Sequence, residues 1–297
     1  MNEFKSAFIA IVGRPNAGKS TLLNRLLGEK IAIVSNKPQT TRNKILGILN
    51  DDDSQIIFVD TPGVHRVRTK LGEYMNRVAI GAISEVDAAV LVFDAGCEMG
   101  EIEEKIIDEI KQEGIPAVLV LNKIDTISHE AVLPVIEKFS AMYDFEAVIP
   151  ISALKGDGIK AVKEEISKFL QPGPMFYPDD MVTDKTEREI AAEIIREKLL
   201  RILDKEVPHG TAVEIDSMKD EEKITKISAT IYCEKASHKA IIIGKGGAML
   251  KKIGSYARAD MERFFDRKIF LELWVKVKDD WRNNNFMLKS LGFKENE

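Results

Sequence analysis

Short apolar runs alternate with amphipathic segments along the first 170 residues of the chain. The apolar runs are hydrophobic at consecutive positions, which is typical of strands covered by helices on both faces, and they occupy residues 8–12, 56–60, 88–93, 117–121 and 147–151. The amphipathic segments repeat apolar residues three and four positions apart, and they occupy residues 19–27, 102–112, 129–141 and 159–169. This alternation predicts an α/β domain with a mostly parallel sheet.

The pattern breaks at residues 171–180, QPGPMFYPDD, where three prolines and a glycine can continue neither a helix nor a central strand. Beyond this break, Thr186 and Glu189 form a possible capping box for a helix. Strand-like segments follow at 212–216, 223–233 and 268–278, with helical segments at 237–243 and 248–265. The sequence therefore predicts a first domain over 1–170, a linker over 171–185 and a smaller α+β domain of order αββααβ over 186–297.

Composition narrows the class of protein further. With 44% apolar side chains, the 297 residues can fill two cores, and no apolar run approaches the roughly 18 residues that span a bilayer. The two distant cysteines, Cys97 and Cys233, favour a reducing cytosol. Although the net charge is −5, residues 231–297 carry 14 lysines and arginines against 9 acidic residues. This basic tract makes nucleic acid a candidate partner, but a solvated helical face would give the same count.

The segment GRPNAGKS, residues 13–20, matches the phosphate-binding pattern G-x-x-x-x-G-K-[ST] between a predicted strand and a predicted helix. Glycines let the backbone approach phosphates, while the helix N-terminus faces their charge. Lys19 would pair with the β and γ phosphates, and the Ser20 hydroxyl would ligate Mg²⁺. The candidate residues of this loop are Gly13, Arg14, Pro15, Asn16, Ala17, Gly18, Lys19, Ser20 and Thr21.

Three further segments follow predicted strands in the order that a nucleotide site requires. In the first, Asp60, Thr61, Pro62 and Gly63, the carboxylate can hold Mg²⁺ through water and the Gly63 amide can contact the γ-phosphate. In the second, Asn122, Lys123 and Asp125, the carboxylate can accept both donors of guanine, which adenine does not offer. In the third, Ser152, Ala153 and Leu154, a backbone N–H could reach the guanine O6. Together the segments favour GTP over ATP.

Together with Gln39-Thr40-Thr41-Arg42, these motifs resemble the Era family, bacterial GTPases with an N-terminal P-loop GTPase domain and a C-terminal KH domain. The resemblance covers nearly the whole chain. It implies that GTP or GDP and Mg²⁺ are the ligands, and that Thr41, rather than Thr40, is the switch threonine beside the metal. It also implies binding to the 3′ end of 16S ribosomal RNA, a role in 30S subunit assembly, and a monomer in the cytoplasm with peripheral contact to the cell membrane.

One position departs from the pattern of Ras-like GTPases. Val64 follows Gly63, where Ras-like proteins keep the glutamine that orients the attacking water. We therefore expect slow intrinsic hydrolysis, with Lys19, Thr41 and Gly63 as the catalytic groups. Asn16 aligns with the asparagine that related GTPases use to hold K⁺, so a monovalent cation beside the phosphates is a further expectation.

The sequence Gly244-Lys245-Gly246-Gly247 lies between two predicted helices, where a KH domain keeps its G-x-x-G loop, and the order αββααβ matches the type II form of that domain. The loop would approach RNA phosphates closely, and basic residues of the next helix would follow the backbone. Over residues 235–268 there are 9 basic and 3 acidic residues, which supports this reading. The candidate RNA-binding residues are Ile243, Gly244, Lys245, Gly246, Gly247, Lys251 and Arg258.

Two other functions share parts of this pattern. A GTPase that modifies or delivers tRNA would use the same first domain, but such proteins need catalytic cysteines or an extra domain. A non-enzymatic RNA chaperone could use GTP as a structural ligand, and Val64 is compatible with that function. RNA-responsive turnover distinguishes the switch from the chaperone.

Overall fold

The computed structural model describes residues 3–35, 37 and 39–293, and these fold into two compact units. The first unit comprises the chain up to Val67 together with Gly72–Asp184. The second comprises Arg68–Leu71 and the chain from Lys185 onward. Each unit has a sheet and a hydrophobic core of its own, as the predicted break in the pattern indicates.

The first unit is built on a mostly parallel sheet, which confirms the predicted fold class. Its strands are β1 (Lys5–Val12), β2 (Ile45–Asp51), β3 (Ser54–Asp60), β4 (Ala88–Asp94), β5 (Ala117–Asn122), β6 (Ala147–Pro150) and β7 (Gln171–Pro172). The strand order is β2-β3-β1-β4-β5-β6, with β7 paired antiparallel to β1. β2 runs antiparallel to β3, while β3, β1, β4, β5 and β6 are parallel. The carboxyl ends of the parallel strands therefore meet along one edge of the sheet.

Helices cover both faces of this sheet, and they are α1 (Lys19–Leu27), α2 (Lys70–Gly81), α3 (Glu101–Glu113), α4 (His129–Ser140) and α5 (Ile159–Ile166). Alternate residues of one strand belong to different cores: Ile9 and Ile11 lie in one cluster, whereas Ala10 and Val12 lie in the other. Burial on both faces is the reason that the strands read as unbroken apolar runs.

The sequence analysis did not predict β2 or α2. β2 is an edge strand with Gly47 and polar residues at its end, so it lacks the apolar run of a central strand. α2 begins beyond the loop that follows β3, and its burial is clearest at Leu71, Met75 and Ala79. β2 follows the segment that carries Thr41, and α2 follows the segment that carries Gly63.

The proline-rich segment 171–184 is held along the β2–β3 edge of the first unit. The fully buried Gln55 donates from Nε2 to the Tyr177 carbonyl at 2.8 Å, and its Oε1 accepts from the Phe176 and Tyr177 N–H groups at 2.9 and 3.0 Å. Further along, the Ile48 N–H donates to the Val182 carbonyl at 2.9 Å. These contacts satisfy backbone groups at the outer edge of β2 and leave the segment fixed over most of its length.

The second unit has the predicted αββααβ order, followed by a short C-terminal helix. Its elements are α6 (Glu187–Ile202), β8 (Ala212–Glu221), β9 (Ile224–Cys233), α7 (Ala236–Ile243), α8 (Ala248–Phe265), β10 (Ile269–Val277) and α9 (Asn285–Ser290). The sheet order is β10-β9-β8, with β8 and β9 antiparallel and β9 and β10 parallel. The predicted capping box closes α6, since the Glu189 N–H donates to Thr186 Oγ1 at 3.3 Å and the Thr186 N–H to Glu189 Oε2 at 2.9 Å.

β8 extends beyond the predicted segment 212–216 to Glu221, and the charged side chains at its end lie on an exposed hairpin, where Lys226 pairs with Glu221 at 2.9 Å. Phe264 is 38% exposed, whereas its neighbour Phe265 packs against the core. No helix in the described part of the chain combines the length and hydrophobicity that crossing a bilayer requires.

Candidate functional site

The phosphate-binding loop joins the end of β1 at Val12 to the start of α1 at Lys19. Gly18 has φ +103°, and a Cβ at this position would lie 2.0 Å from Nδ2 of Asn122. A side chain is therefore excluded from this corner of the loop. Lys19 is only 6% exposed, and its Nζ donates to the carbonyls of Gly13 at 3.1 Å and Arg14 at 2.8 Å. The loop thus encloses one buried ammonium group at the start of a helix.

A buried carboxylate lies near this ammonium group. Burial lowers the pKa of Lys19 to about 8, and the charge of Asp60 opposes that shift. Burial likewise raises the pKa of Asp60 to about 6, against the effects of Lys19, Ser20 and Thr41. Both charged groups are deprived of water, so an ionic ligand that replaces water would be bound favourably here.

Three oxygen-bearing side chains converge beside the loop in a form that suits Mg²⁺. Ser20 Oγ donates to Asp60 Oδ2 at 2.7 Å and lies 2.9 Å from Thr41 Oγ1, which is 3.5 Å from the same carboxylate oxygen. Asp60 is fully buried, and its Oδ1 has no hydrogen-bond partner among the described residues. A buried, unsatisfied carboxylate oxygen beside two hydroxyls fits a hard divalent cation.

The two adjacent threonines of the 39–42 segment differ in their contacts. Thr41 is buried and faces Ser20 and Asp60. The Thr40 hydroxyl donates instead to the Lys37 carbonyl at 2.6 Å. The structure therefore brings Thr41 to the candidate metal position and places the Thr40 hydroxyl on its own loop.

Asn122, at the end of β5, ties the guanine-recognition segments to the phosphate-binding loop. Its Nδ2 donates to the Ala17 carbonyl at 2.8 Å, while its Oδ1 accepts from the N–H groups of Lys123 at 2.8 Å and Ala153 at 3.0 Å. The Ala153 N–H is thus engaged within the protein, although the sequence analysis offered this segment as a donor to the base. Asn122 itself acts through the protein backbone.

Asp125 and Ser152 lie together at the same end of the site. A hydrogen bond from the Ser152 hydroxyl lowers the pKa of the Asp125 carboxyl, which keeps it ionised and acceptor-only. Arg25 of α1 donates to the carbonyls of Ala153 at 3.0 Å and Leu154 at 2.6 Å, so α1 also fixes the third segment. An ionised carboxylate on a fixed loop is the acceptor that the two donors of guanine require.

A cleft of about 390 Å³, including the part open to solvent, follows the phosphate-binding loop. It is lined by residues of that loop, of the 33–41 segment and by Gly63, namely Pro15, Asn16, Gly18, Lys19, Ser20, Thr21, Ile33, Val34, Ser35, Gln39, Thr40, Thr41 and Gly63. Lys19, Ser20, Thr41 and Gly63 thus line one cleft, and Asp60 contacts it through its hydrogen bond with Ser20. Pro62 is buried next to Gly63, and the Thr61 hydroxyl donates to the Ile11 carbonyl at 2.9 Å, so Thr61 braces the segment against β1.

Arg14 forms an ion pair with Glu103, a carboxylate that is 1% exposed at the start of α3. The same carboxylate accepts from the Gly100 N–H at 3.0 Å. Lys123 pairs with Asp94, at the end of β4, at 2.6 Å. The sequence analysis missed Glu103 and Asp94, although a glutamate three residues after a helix-capping glycine was a usable signal.

The Gly244–Gly247 loop of the second unit connects α7 to α8. Gly244, Gly246 and Gly247 have φ values of +72°, +59° and +80°, and Lys245 is exposed between them. Lys251 and Arg258 of α8 are exposed, while Ile253, Ala257 and Met261 of the same helix are buried. The loop therefore presents backbone and a lysine to solvent, with two further cations on the exposed side of α8.

Comparison with known proteins places both units in a single family. Residues 8–123 match a family model described as a 50S ribosome-binding GTPase, and residues 206–282 match the KH domain model. GTPase Era from Ruminiclostridium cellulolyticum is 55% identical over 295 residues, covering 99% of each chain. GTPase Era from Clostridium kluyveri is 54% identical over 291 residues, covering 98% of this chain and 99% of its own.

Two solved structures agree with this fold at full length. One is Era in complex with MgGDPNP and nucleotides 1506–1542 of 16S ribosomal RNA, with a TM-score of 0.94 and 39% identity over 98% of this chain and 100% of that one. The other is a variant of Aquifex aeolicus Era bound to GDP and aluminium fluoride, with a TM-score of 0.94 and 38% identity over the same shares. The motifs, both units and the full-length identity lead to one conclusion: this chain belongs to the Era family of GTPases.

Proposed function

We propose that this protein is a GTP-hydrolysing switch that binds the single-stranded 3′ end of 16S ribosomal RNA during 30S subunit assembly and rRNA maturation. The proposal rests on one observation: the phosphate-binding loop is hydrogen-bonded both to Asp60, through Ser20, and to Asn122, through the Ala17 carbonyl. The chain that carries this arrangement is 55% identical to a GTPase Era. The related Era solved with MgGDPNP and 16S nucleotides supports the same two ligands here.

In the proposed mechanism, the backbone of residues 13–18 and the Lys19 ammonium bind the β and γ phosphates. Ser20, Thr41 and Asp60 are the residues that would hold Mg²⁺, which when bound would neutralise charge on the phosphate oxygens. The Gly63 N–H would donate to the γ-phosphate, and Asp125 would accept from N1–H and the exocyclic amine of guanine. As an apolar residue, Val64 supplies no side-chain hydrogen bond to the attacking water, so hydrolysis is proposed to be slow.

In the second unit, the proposed RNA contacts run from the Gly244–Gly247 loop to Lys251 and Arg258. Ile243, half-buried at the end of α7, would border the groove for unpaired bases. We propose domain limits of 1–170 for the GTPase domain and 186–297 for the KH domain, with 171–185 between them. Residues Tyr177, Asp179 and Asp184 of the segment between them contact β2 and β3 of the first unit.

We further propose that the protein acts as a monomer in the cytoplasm, with peripheral contact to the cell membrane. The membrane contact rests on the family resemblance alone. Co-sedimentation of the full chain with vesicles of anionic phospholipid tests it, and sedimentation equal to that with neutral vesicles would argue against it.

The affinity of the full chain for an RNA oligonucleotide from the 3′ end of 16S rRNA, measured with GDP and then with GDPNP, tests the switch. A difference of about tenfold, about 1.4 kcal/mol of coupling, is expected if nucleotide state controls RNA binding. Equally tight binding in both states would favour the chaperone function, in which GTP is a structural ligand. No binding in either state would remove the RNA assignment and leave the GTPase.

A further inference from the structure

Val64 faces the core rather than the cleft. Its side chain is 2% exposed and packs within the hydrophobic cluster that includes Val12 and Leu91. Its N–H donates to the Gly13 carbonyl of the phosphate-binding loop at 3.3 Å. The position that holds a glutamine in Ras-like proteins is therefore used to anchor the backbone, and it ties the peptide shared with Gly63 to the phosphate-binding loop.

The peptide between Gly63 and Val64 is held at both ends. Its N–H is the one that bonds to Gly13, and its oxygen, the Gly63 carbonyl, lies 2.9 Å from Nδ1 of His65. Because a carbonyl oxygen can only accept, Nδ1 carries the proton and donates. Gly63 also abuts the phosphate loop, since a Cβ at this position would lie 2.3 Å from the Pro15 nitrogen.

His65 is in turn clamped by Asn76, from the second turn of α2. The His65 N–H donates to Asn76 Oδ1 at 3.1 Å, and Asn76 Nδ2 donates to the His65 carbonyl at 2.6 Å. One amide side chain thus satisfies both backbone groups of His65 and fixes the conformation from which its ring reaches Gly63. The chain of contacts leads from α2 through His65 to the loop that closes on the nucleotide phosphates.

We propose that Asn76 and His65 are positioning residues for GTP hydrolysis, which hold the Gly63 backbone so that its N–H can donate to the γ-phosphate. This inference rests on the proposed function. Neither residue needs to touch the nucleotide. We expect their effect to be confined to steps that involve the γ-phosphate, because within the described part of the chain their hydrogen bonds reach Gly63 and not the 122–125 and 152–154 segments.

Asn76→Ala in the full chain tests the clamp. Single-turnover GTP hydrolysis at saturating protein is expected to slow by about tenfold, because a small displacement of a positioned group lowers the rate steeply. GDP affinity is expected to stay within about twofold, since GDP lacks the phosphate that Gly63 faces. Ser84→Ala is the matched control: it removes one hydrogen bond, of 3.0 Å to the Gly81 carbonyl, just past the end of the same helix.

The His65 ring is tested by a pair of substitutions of equal size. His65→Asn keeps a side-chain donor near the Gly63 carbonyl, whereas His65→Leu introduces a side chain of the same shape as asparagine without a donor. His65→Asn is expected to retain more of the hydrolysis rate than His65→Leu. Adding Asn76→Ala to His65→Leu is expected to cost little more, because the two residues form one chain of contacts.

Several results would overturn the inference. These are an unchanged hydrolysis rate in Asn76→Ala, a parallel loss of GDP affinity, which would indicate a general structural role, and equal rates in the two His65 variants. If Asn76→Ala does not fold, the His65 pair decides. The wild-type chain in the same assay distinguishes failure of the positioning role from failure of the proposed function, because absence of hydrolysis in the wild type would refute the proposed function.

Discussion

Asp60 and Lys19 show how burial prepares single residues for an ionic ligand. Neither residue is more than 6% exposed. Burial lowers the pKa of Lys19 and raises the pKa of Asp60, so it favours the neutral form of each group. In the proposed complex, the phosphates balance the charge of Lys19 and Mg²⁺ balances the charge of Asp60, in place of the water that burial removes. Substitution of either residue would therefore affect ligand binding more than it affects the fold.

The raised pKa of Asp60 predicts a pH dependence of Mg²⁺ binding. A proton and the cation compete for the same carboxylate, so Mg²⁺ affinity in the presence of GDP should rise with pH through about 6 and level off above it. A loss of about tenfold is expected for each pH unit below that value. The terminal phosphate of the nucleotide titrates in a similar range, so Asp60→Asn supplies the baseline, and identical pH profiles for the two proteins would contradict the prediction.

Asn16 predicts an effect of monovalent cations. It is exposed at the mouth of the phosphate loop with φ +63°, a conformation that asparagine and glycine tolerate. Hydrolysis is expected to be roughly an order of magnitude faster in KCl than in NaCl, since a bound cation would stabilise charge developing between the phosphates. Asn16→Gly removes the side-chain oxygen without backbone strain and should abolish the difference. Equal wild-type rates in the two salts would leave Asn16 as a turn residue.

At the scale of elements, function lies in the loops that follow strands and join helices. The buried strands that end at Val12, Asp60 and Asn122 fix three of the four segments of the proposed nucleotide site. In the second unit, the short 244–247 connection between α7 and α8 exposes backbone in a conformation suited to glycine. Rigid elements thus position the buried side chains of the nucleotide site as well as the exposed backbone of the 244–247 connection.

Gly246→Asp tests the connection between α7 and α8. A Cβ added at Gly246 would meet no heavy atom within 4 Å, and aspartate is among the few residues that adopt a φ of +59° at modest cost, so the fold should tolerate the substitution, while the added negative charge repels RNA phosphate. RNA affinity is expected to fall by at least about tenfold with little change in melting temperature. Gly114→Asp is the matched control, because Gly114 also has positive φ and open space around it but lies at the end of α3. Equal RNA affinity in the two variants would remove the loop from the RNA site.

At the scale of the whole molecule, the two units divide the chemistry. The first 230 residues carry 29 basic against 39 acidic residues, whereas residues 231–297 have the opposite balance. The residues proposed to bind the nucleotide therefore lie in the acidic part of the chain, and those proposed to bind RNA lie in the basic part. Control of RNA binding by the bound nucleotide can be observed only in the intact chain.

Thermodynamic reciprocity gives a prediction at this scale. If GDPNP strengthens RNA binding by about tenfold over GDP, the RNA must strengthen GDPNP binding relative to GDP by the same factor. Fluorescent-nucleotide titrations of the full chain with and without the oligonucleotide measure this, and Gly246→Asp should abolish the effect of RNA. Unequal factors in the two directions would mean that the measured complexes are not the same two-state system.

The sequence by itself determined the αββααβ order of the second unit, the limits of α1 and α8 and most of the nucleotide motifs. It could do so because strands buried on both faces appear as apolar runs and amphipathic helices as a repeat of three and four residues. Phosphate-binding loops likewise require glycine at a fixed spacing. Only the tertiary structure decided that Glu103 holds Arg14, and that the Ala153 N–H donates to Asn122. The same holds for the clamp of Asn76 on His65, because contacts between residues distant in sequence depend on which helix packs beside which strand end, and no local pattern records that.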